Sequence, residues 1–205
     1  MLINNPMEKD GIWSGISNAD YHADNARISC SGIKKIVGQS PLHFKEWRTE
    51  ESAAMALGSA SHCFILEGEE LFYEQFAVAP KCDKRTNIGK ANWARFLAES
   101  DGKTPVEEKD FHTIEAMANS IERHGEASRL LQSGIAEQSV LWADPATGLM
   151  CKCRPDWLRH DGIIVDLKTT TNATMWPFRS SMRKYGYDIQ DAFYSRGLAA
   201  VGRPA

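Results

Sequence analysis

Along "PVEEKDFHTIEAMANSIERHG" (residues 105–125), Val106, Phe111, Ile114, Met117 and Ile121 recur at helical spacing. The pattern predicts an amphipathic helix, with Gly125 as its stop. "SAAMALGSASHCFILEGEELF" (52–72) carries alanines and apolar residues on more than one face and reads as a central helix. "ISCSGIKKIVGQSPLHFKEW" (28–47) reads as two short helices. Ser29 or Ser31 would cap the first, and Ser40 the second, with Pro41 at its first position. "APKCDKRTNIGKANW" (79–93) has the polarity of an exposed loop, leading into a helix around Ala91–Glu99.

The period then changes. "IAEQSVLWADPATGLMCKCRPDWL" (135–158) holds two strand-like runs separated by the turn cluster Asp144-Pro145-Ala146-Thr147-Gly148. "RHDG" (159–162) makes the next turn, "IIVDLKTT" (163–170) the next strand, and "YDIQDAFYSRGLAAVG" (187–202) returns to helix. Several helices, a three-stranded meander and a further helix predict an α+β fold. With no repeat, low-complexity tract or long Gly/Ser linker, a single domain over 1–205 is expected.

Composition narrows the class. No apolar run reaches the 18 residues of a membrane span, and "MLINNPMEKDGIW" lacks the charged-then-apolar order of a secretion signal. Five cysteines, odd in number and without C-x-x-C spacing, fit a reduced, cytoplasmic protein. The net charge of −3 argues against coating nucleic acid by bulk charge. Its distribution is uneven, however: residues 150–205 hold nine Lys/Arg against five Asp/Glu, a local +4 that leaves −7 for the rest. A local anionic partner suits that segment.

The same segment holds the unusual chemistry. In a strand over 163–170, Ile164, Asp166 and Lys168 share one face, while Ile163, Val165 and Leu167 share the other and are expected to enter the core. Asp156, behind Pro155, precedes Asp166 by ten positions. Carboxylates and carbonyls are hard oxygen ligands suited to Mg²⁺, which binds through one or two carboxylates plus substrate phosphate. With Lys168 orienting water or stabilising charge, these groups would hydrolyse a phosphodiester. The same residues also fit a turn cap at Asp156 and strand-end ion pairs at Asp166 and Lys168.

Pro155-Asp156 followed by Asp166-Leu167-Lys168 resembles the PD-(D/E)xK nuclease motif. Gly58-Ser59-Ala60-Ser61-His62 is similar to the Gly-x-x-x-His signature of the branch containing the RecB nuclease domain and λ exonuclease. Gln190-Asp191-Ala192-Phe193-Tyr194 is similar to its Q-x-x-x-Y motif. "GISNADYH", "CKCRPD", "VDLKTT" and "QDAFYS" tighten the resemblance to the RecE type, exonuclease VIII. It implies a restriction-endonuclease-like core, a mixed sheet flanked by helices, with an N-terminal helical region. By the same resemblance, His62, Asp156, Asp166 and the Leu167 carbonyl would bind Mg²⁺, with Mn²⁺ as a substitute, and Lys168 would be the catalytic lysine. Gln190 and Tyr194, four residues apart, share a helix face and would brace the site or touch phosphate. The implied activity is 5′→3′ digestion of linear duplex DNA, leaving 3′ single strands for a RecT-like annealing partner. A homo-oligomeric ring and a bacterial or phage origin are implied as well. A non-catalytic DNA-binding module and an endonuclease of the same superfamily are the alternatives.

Further candidates have bland counterparts. Ser29-x-Ser31 resembles a segment placed to hold a 5′-phosphate, and equally fits helix capping. Arg85 and Lys90 lie in a loop similar to the "RTN-x-G" stretch of the RecE type and are candidate DNA contacts, as are Arg179, Arg183 and Lys184. Glu137, opening a strand, offers a further carboxylate or a strand-end charge. Some relatives hold an iron–sulfur cluster through one cysteine before a proline and three late ones. Here Ser40 precedes Pro41 and no cysteine follows Cys153, so no cluster is expected. Cys151 and Cys153 share a strand face and read as packing residues rather than zinc ligands. The family's fold continues beyond the Q-x-x-x-Y helix, whereas this sequence stops soon after it, which would leave a sheet edge open.

Overall fold

The computed structural model describes residues 9–47 and 52–203; most of the stretch read for a secretion signal lies outside them. The chain forms two compact units, one from residues 1–49 and 133–205, the other from the intervening 50–132. The element mixture is α+β, as the hydrophobic patterning predicts.

The first unit opens with β1 (Gly11–Trp13), α1 (Asn18–Ala23), α2 (Cys30–Gly38) and α3 (Pro41–Lys45). Ser29 caps α2 by accepting from Gly32 N–H, and Ser40 caps α3 through His43 N–H with Pro41 in the first turn. The second unit then runs α4 (Ala53–His62), a π-helical turn Cys63–Glu67, α5 (Glu69–Gln75), β2 (Phe76–Ala79), α6 (Asn87–Glu99), β3 (Thr104–Glu107), α7 (Glu108–Arg123) and α8 (Gly125–Leu130). Returning to the first unit are β4 (Gly134–Ala136), β5 (Ser139–Ala143), β6 (Met150–Cys153), β7 (Trp157–Arg159), β8 (Ile164–Val165), α9 (Met175–Tyr185) and α10 (Tyr187–Ala200).

Within the second unit, β2 and β3 pair in parallel across the α6 crossover, with Val78 beside Val106. Phe72, Phe76, Phe111 and Ile114 fill the core around them. Three expectations change here. The long helix over 52–72 is interrupted by the π turn and by Gly68, whose φ of 101° is outside helical space. Val106 lies in β3 rather than in the following helix: Pro105 occupies an edge strand, and the helix starts only at Glu108. Gly125 opens α8 instead of closing α7.

The strands of the first unit form two three-stranded sheets, β1-β5-β6 and β4-β7-β8, rather than one meander. β4, β5, β6 and β7 come from one long hairpin, since the pairing of Val140 with Cys153 and of Ala136 with Trp157 follows a single register. The ladder breaks between them. Pro155 has no N–H to give, and Glu137 adopts a left-handed φ of 50°. Both sheets nevertheless feed one core: Val140, Trp142, Cys151, Cys153 and Leu158 pack with Cys30, Phe193 and Leu198. α10 closes that core. Gly197 lets it approach so tightly that a Cβ there would stand 2.8 Å from the Trp142 ring.

Candidate active site

The break in the hairpin sets the chemistry. Carrying the register across it places Glu137 opposite Asp156, and Glu137 N–H donates to the Asp156 carbonyl at 3.1 Å. On the other side, β7 pairs with β8 through Trp157 and Val165, so the next position sets Asp156 opposite Asp166. Three carboxylates therefore stand abreast on three adjacent chain segments. Directly opposed residues of antiparallel strands project to the same face.

That face is the inner one. Leu158 is buried in the core and Ile164 packs against it, while Ile163 is 47% exposed. Asp156 and Asp166 follow Leu158 and Ile164 by strand alternation, so the acids continue the apolar row inward. The sequence-based expectation that Ile163, Val165 and Leu167 would form the core face is thereby corrected. β8 is also shorter than the strand expected over 163–170, ending at Val165. The reason lies at the next residues: Leu167 N–H turns to the Asp156 side chain, donating to Oδ2 at 2.7 Å.

Side chains then lock the row. Lys168 pairs with the Asp166 carboxylate and lies 4.0 Å from Asp156 Oδ2. Gln190 Nε2, from α10, donates to Asp166 Oδ1 at 2.7 Å. Carboxylate oxygens of Glu137 and Asp156 lie within 4.8 Å of each other. Asp156 is only 9% exposed. Burial, reinforced by the Asp166 carboxylate, pushes its ionisation up to about 8; Lys168 opposes this, Glu137 adds to it, and the Leu167 N–H opposes it. Tyr194, one turn after Gln190, packs against the core, and burial pushes its hydroxyl well above the ordinary tyrosine range.

A cluster of carboxylates held close and inward is costly without positive charge. One lysine supplies part of it. The hard oxygen donors of Asp156, Asp166 and Glu137 fit a divalent cation such as Mg²⁺, which suits carboxylates in a polar, partly hydrated site. Glu137 is the residue that strand-based reasoning misplaced: it stands in the break rather than opening a strand. Its left-handed backbone leaves no mark in the residue types.

The other motif stretches divide between structure and surface. Cys151 and Cys153 face the core, so Lys152 and Arg154 take the opposite side of β6 and its extension. Lys152 Nζ donates to the carbonyls of Tyr21 and, at 2.6 Å, Asp24. Arg154 donates to Ile16 O at 3.0 Å and to Ser139 Oγ, and stacks 4.1 Å from the centre of the Tyr21 ring. "CKCRPD" thus clamps "GISNADYH", and the two stretches carry one packing contact.

Ser29 Oγ accepts from Gly32 N–H at 3.2 Å, and Ser31 is exposed. In the second unit, His62 ends α4 and is half-buried. Arg85 pairs with Asp83 on the surface, and Lys90 lies in the first turn of α6 rather than in the loop. The "RTN-x-G" stretch has its own local logic. Thr86 caps α6 through Gly89 N–H, and any Cβ at Gly89 would fall 1.9 Å from the Asp83 carbonyl oxygen. Arg179, Arg183 and Lys184 are exposed on α9.

Residues 29–202 match the family model described as a PDDEXK-like domain of unknown function (DUF3799). No curated protein matches the chain. Among the described residues, no helix is long and apolar enough to cross a membrane.

Proposed function

Because the chain belongs to this family of PDDEXK-like domains, we propose that it is a Mg²⁺-dependent DNA exonuclease acting on the ends of linear duplex. The carrying observation is the row of Glu137, Asp156 and Asp166 with Lys168 against it. Asp156, Asp166 and the Leu167 carbonyl would hold Mg²⁺, or Mn²⁺ in its place, with Glu137 adjoining. His62 is added as a ligand on its Gly-x-x-x-His pattern. A divalent ion supplies Lewis-acid polarisation of a phosphoryl oxygen and a nucleophile at neutral pH.

The chain's own groups do the rest. Gln190 fixes the Asp166 carboxylate through its 2.7 Å hydrogen bond, and Leu167 N–H fixes Asp156. With both aspartates engaged, the Lys168 ammonium donates to a phosphoryl oxygen or orients the attacking water. Tyr194 stays protonated and supports the packing around the row. The likeness to RecE-type enzymes extends the proposal to 5′→3′ polarity, 3′ single-stranded products, a RecT-like annealing partner, a homo-oligomeric ring and a cytoplasmic, phage or bacterial setting. It also treats the whole chain as one nuclease domain.

An end-labelled linear duplex incubated beside a closed circle, with Mg²⁺ or with chelator, tests the reading. Metal-dependent loss of the linear DNA alone supports it. Nicking of the circle makes the protein an endonuclease, and binding without cleavage makes it a DNA-binding module.

A further inference from the structure

From Leu167 to Tyr187 the chain contains Lys168, Arg179, Arg183 and Lys184 and no acidic residue. α9 occupies the second half of this stretch and is joined at both ends to the carboxylate row. Six residues link Lys168 to its first turn, and Gly186 turns it into α10, where Gln190 holds Asp166. Lys34 of α2 anchors its last turn by donating to Tyr185 O at 2.8 Å. α9 is therefore tethered, yet it contributes no fully buried side chain to the core.

Its outward face has an uncommon composition. Trp176 is 73% exposed and Met175 68%. Trp176, Arg179 and Arg183 follow one another at i, i+3 and i+7, which puts them along a single face. The Arg179 guanidinium lies 5.5 Å from the centre of the Trp176 ring. An exposed indole with a guanidinium over its ring and a second arginine further along the same helix face is the pairing that stacks an unpaired base while holding its phosphates. The absence of carboxylates along the stretch makes the charge complementary to a nucleic acid strand.

We propose that the Trp176–Arg179–Arg183 face of α9 is a platform for single-stranded DNA, receiving an unpaired strand beside the carboxylate row. The proposal rests on the nuclease reading for its substrate, but its test does not depend on cleavage.

The full chain, held in EDTA so that no hydrolysis occurs, is titrated with a labelled oligothymidylate and with the same oligomer carrying abasic positions. Wild type should prefer the oligomer with bases. Trp176→Ala should weaken oligothymidylate binding about tenfold and abolish that preference, while Trp176→Phe, which retains a ring, loses about threefold or less. Arg179→Gln with Arg183→Gln should lower the slope of log affinity against log salt by about 1.4. Circular dichroism checks each fold, and the two conservative sets decide the matter if Trp176→Ala does not fold.

Unchanged affinity in Trp176→Ala, or an unchanged salt slope in the arginine pair, overturns the platform. So does sedimentation showing that Trp176→Ala dissociates an oligomer without altering DNA binding, because the face would then join copies of this chain. Binding of duplex without binding of single strands removes the platform and leaves the nuclease reading standing. Single-strand binding through Trp176 with no Mg²⁺-dependent cleavage of linear duplex does the reverse.

Discussion

Replacing Asp156 by asparagine should stabilise the metal-free protein above neutral pH. Asp156 ionises at about 8 in the folded chain, against 3.8 for an ordinary aspartate. Between those values the folded state keeps a proton that the unfolded chain has lost, so stability falls as pH rises through the interval. The contribution is intact below about pH 4 and fully lost above about pH 8. At about 1.4 kcal/mol per pH unit, the whole interval amounts to about 5–6 kcal/mol. Water reaching this partly open row screens some of it, and ~2–3 kcal/mol between pH 5 and pH 8.5 is the expected reading. Asparagine is nearly isosteric, carries no charge, and still offers Leu167 N–H an oxygen acceptor.

Thermal unfolding in EDTA across pH 5–9 measures the difference between the two proteins, which cancels titrations they share. Asp156→Asn should melt about 5–10 °C above wild type at pH 8.5 and lose most of that margin by pH 5. Added Mg²⁺ should raise the wild-type midpoint by mass action and leave the variant's unchanged. A variant no more stable than wild type at pH 8.5 would refute the inward placement of this carboxylate.

Other consequences can be measured independently. Gln190→Ala, which frees Asp166 Oδ1, should weaken Mn²⁺ binding by calorimetry about tenfold, with the melting temperature nearly unchanged. Gly197→Val drives a side chain into Trp142 and should cost about 1–3 kcal/mol in urea unfolding, with the α10 amides losing exchange protection. Arg154→Ala should speed hydrogen exchange over residues 16–24, because its bonds to Ile16 O and Ser139 disappear, as does its stacking on Tyr21. Asp166→Ala should reduce cleavage of linear duplex by at least ~10³-fold while the protein still folds, the scale of losing a group that stabilises transition-state charge.

Much of this site was legible in the residue types. Pro155-Asp156 and Asp166-x-Lys168 identified the row, and the four-residue spacing of Gln190 and Tyr194 pointed to a shared face; Gln190 does reach Asp166. Cys151 and Cys153 read correctly as packing residues because strand alternation fixes their side. What escaped depended on backbone choices that residue type does not encode. Either isoleucine of "IIVD" suits a core, so only the register with β7 decides that Ile164 enters and Ile163 faces water. Glu137 looked like a strand end because nothing in a glutamate announces a left-handed φ. Val106 fits a helical stripe as well as a strand, and its pairing with Val78, some 28 positions earlier, is a tertiary fact. The division of the hairpin into two sheets likewise needed both Pro155 and the left-handed Glu137, and only the proline was visible beforehand.

The direct test is to locate the cation. Crystals of the wild-type chain soaked in Mn²⁺ and measured at the manganese edge should show an anomalous peak about 2.0–2.6 Å from carboxylate oxygens of both Asp156 and Asp166. Such a peak should be missing in Asp166→Ala. A peak elsewhere, or Mn²⁺ bound equally well by that variant, would contradict a site built from the row.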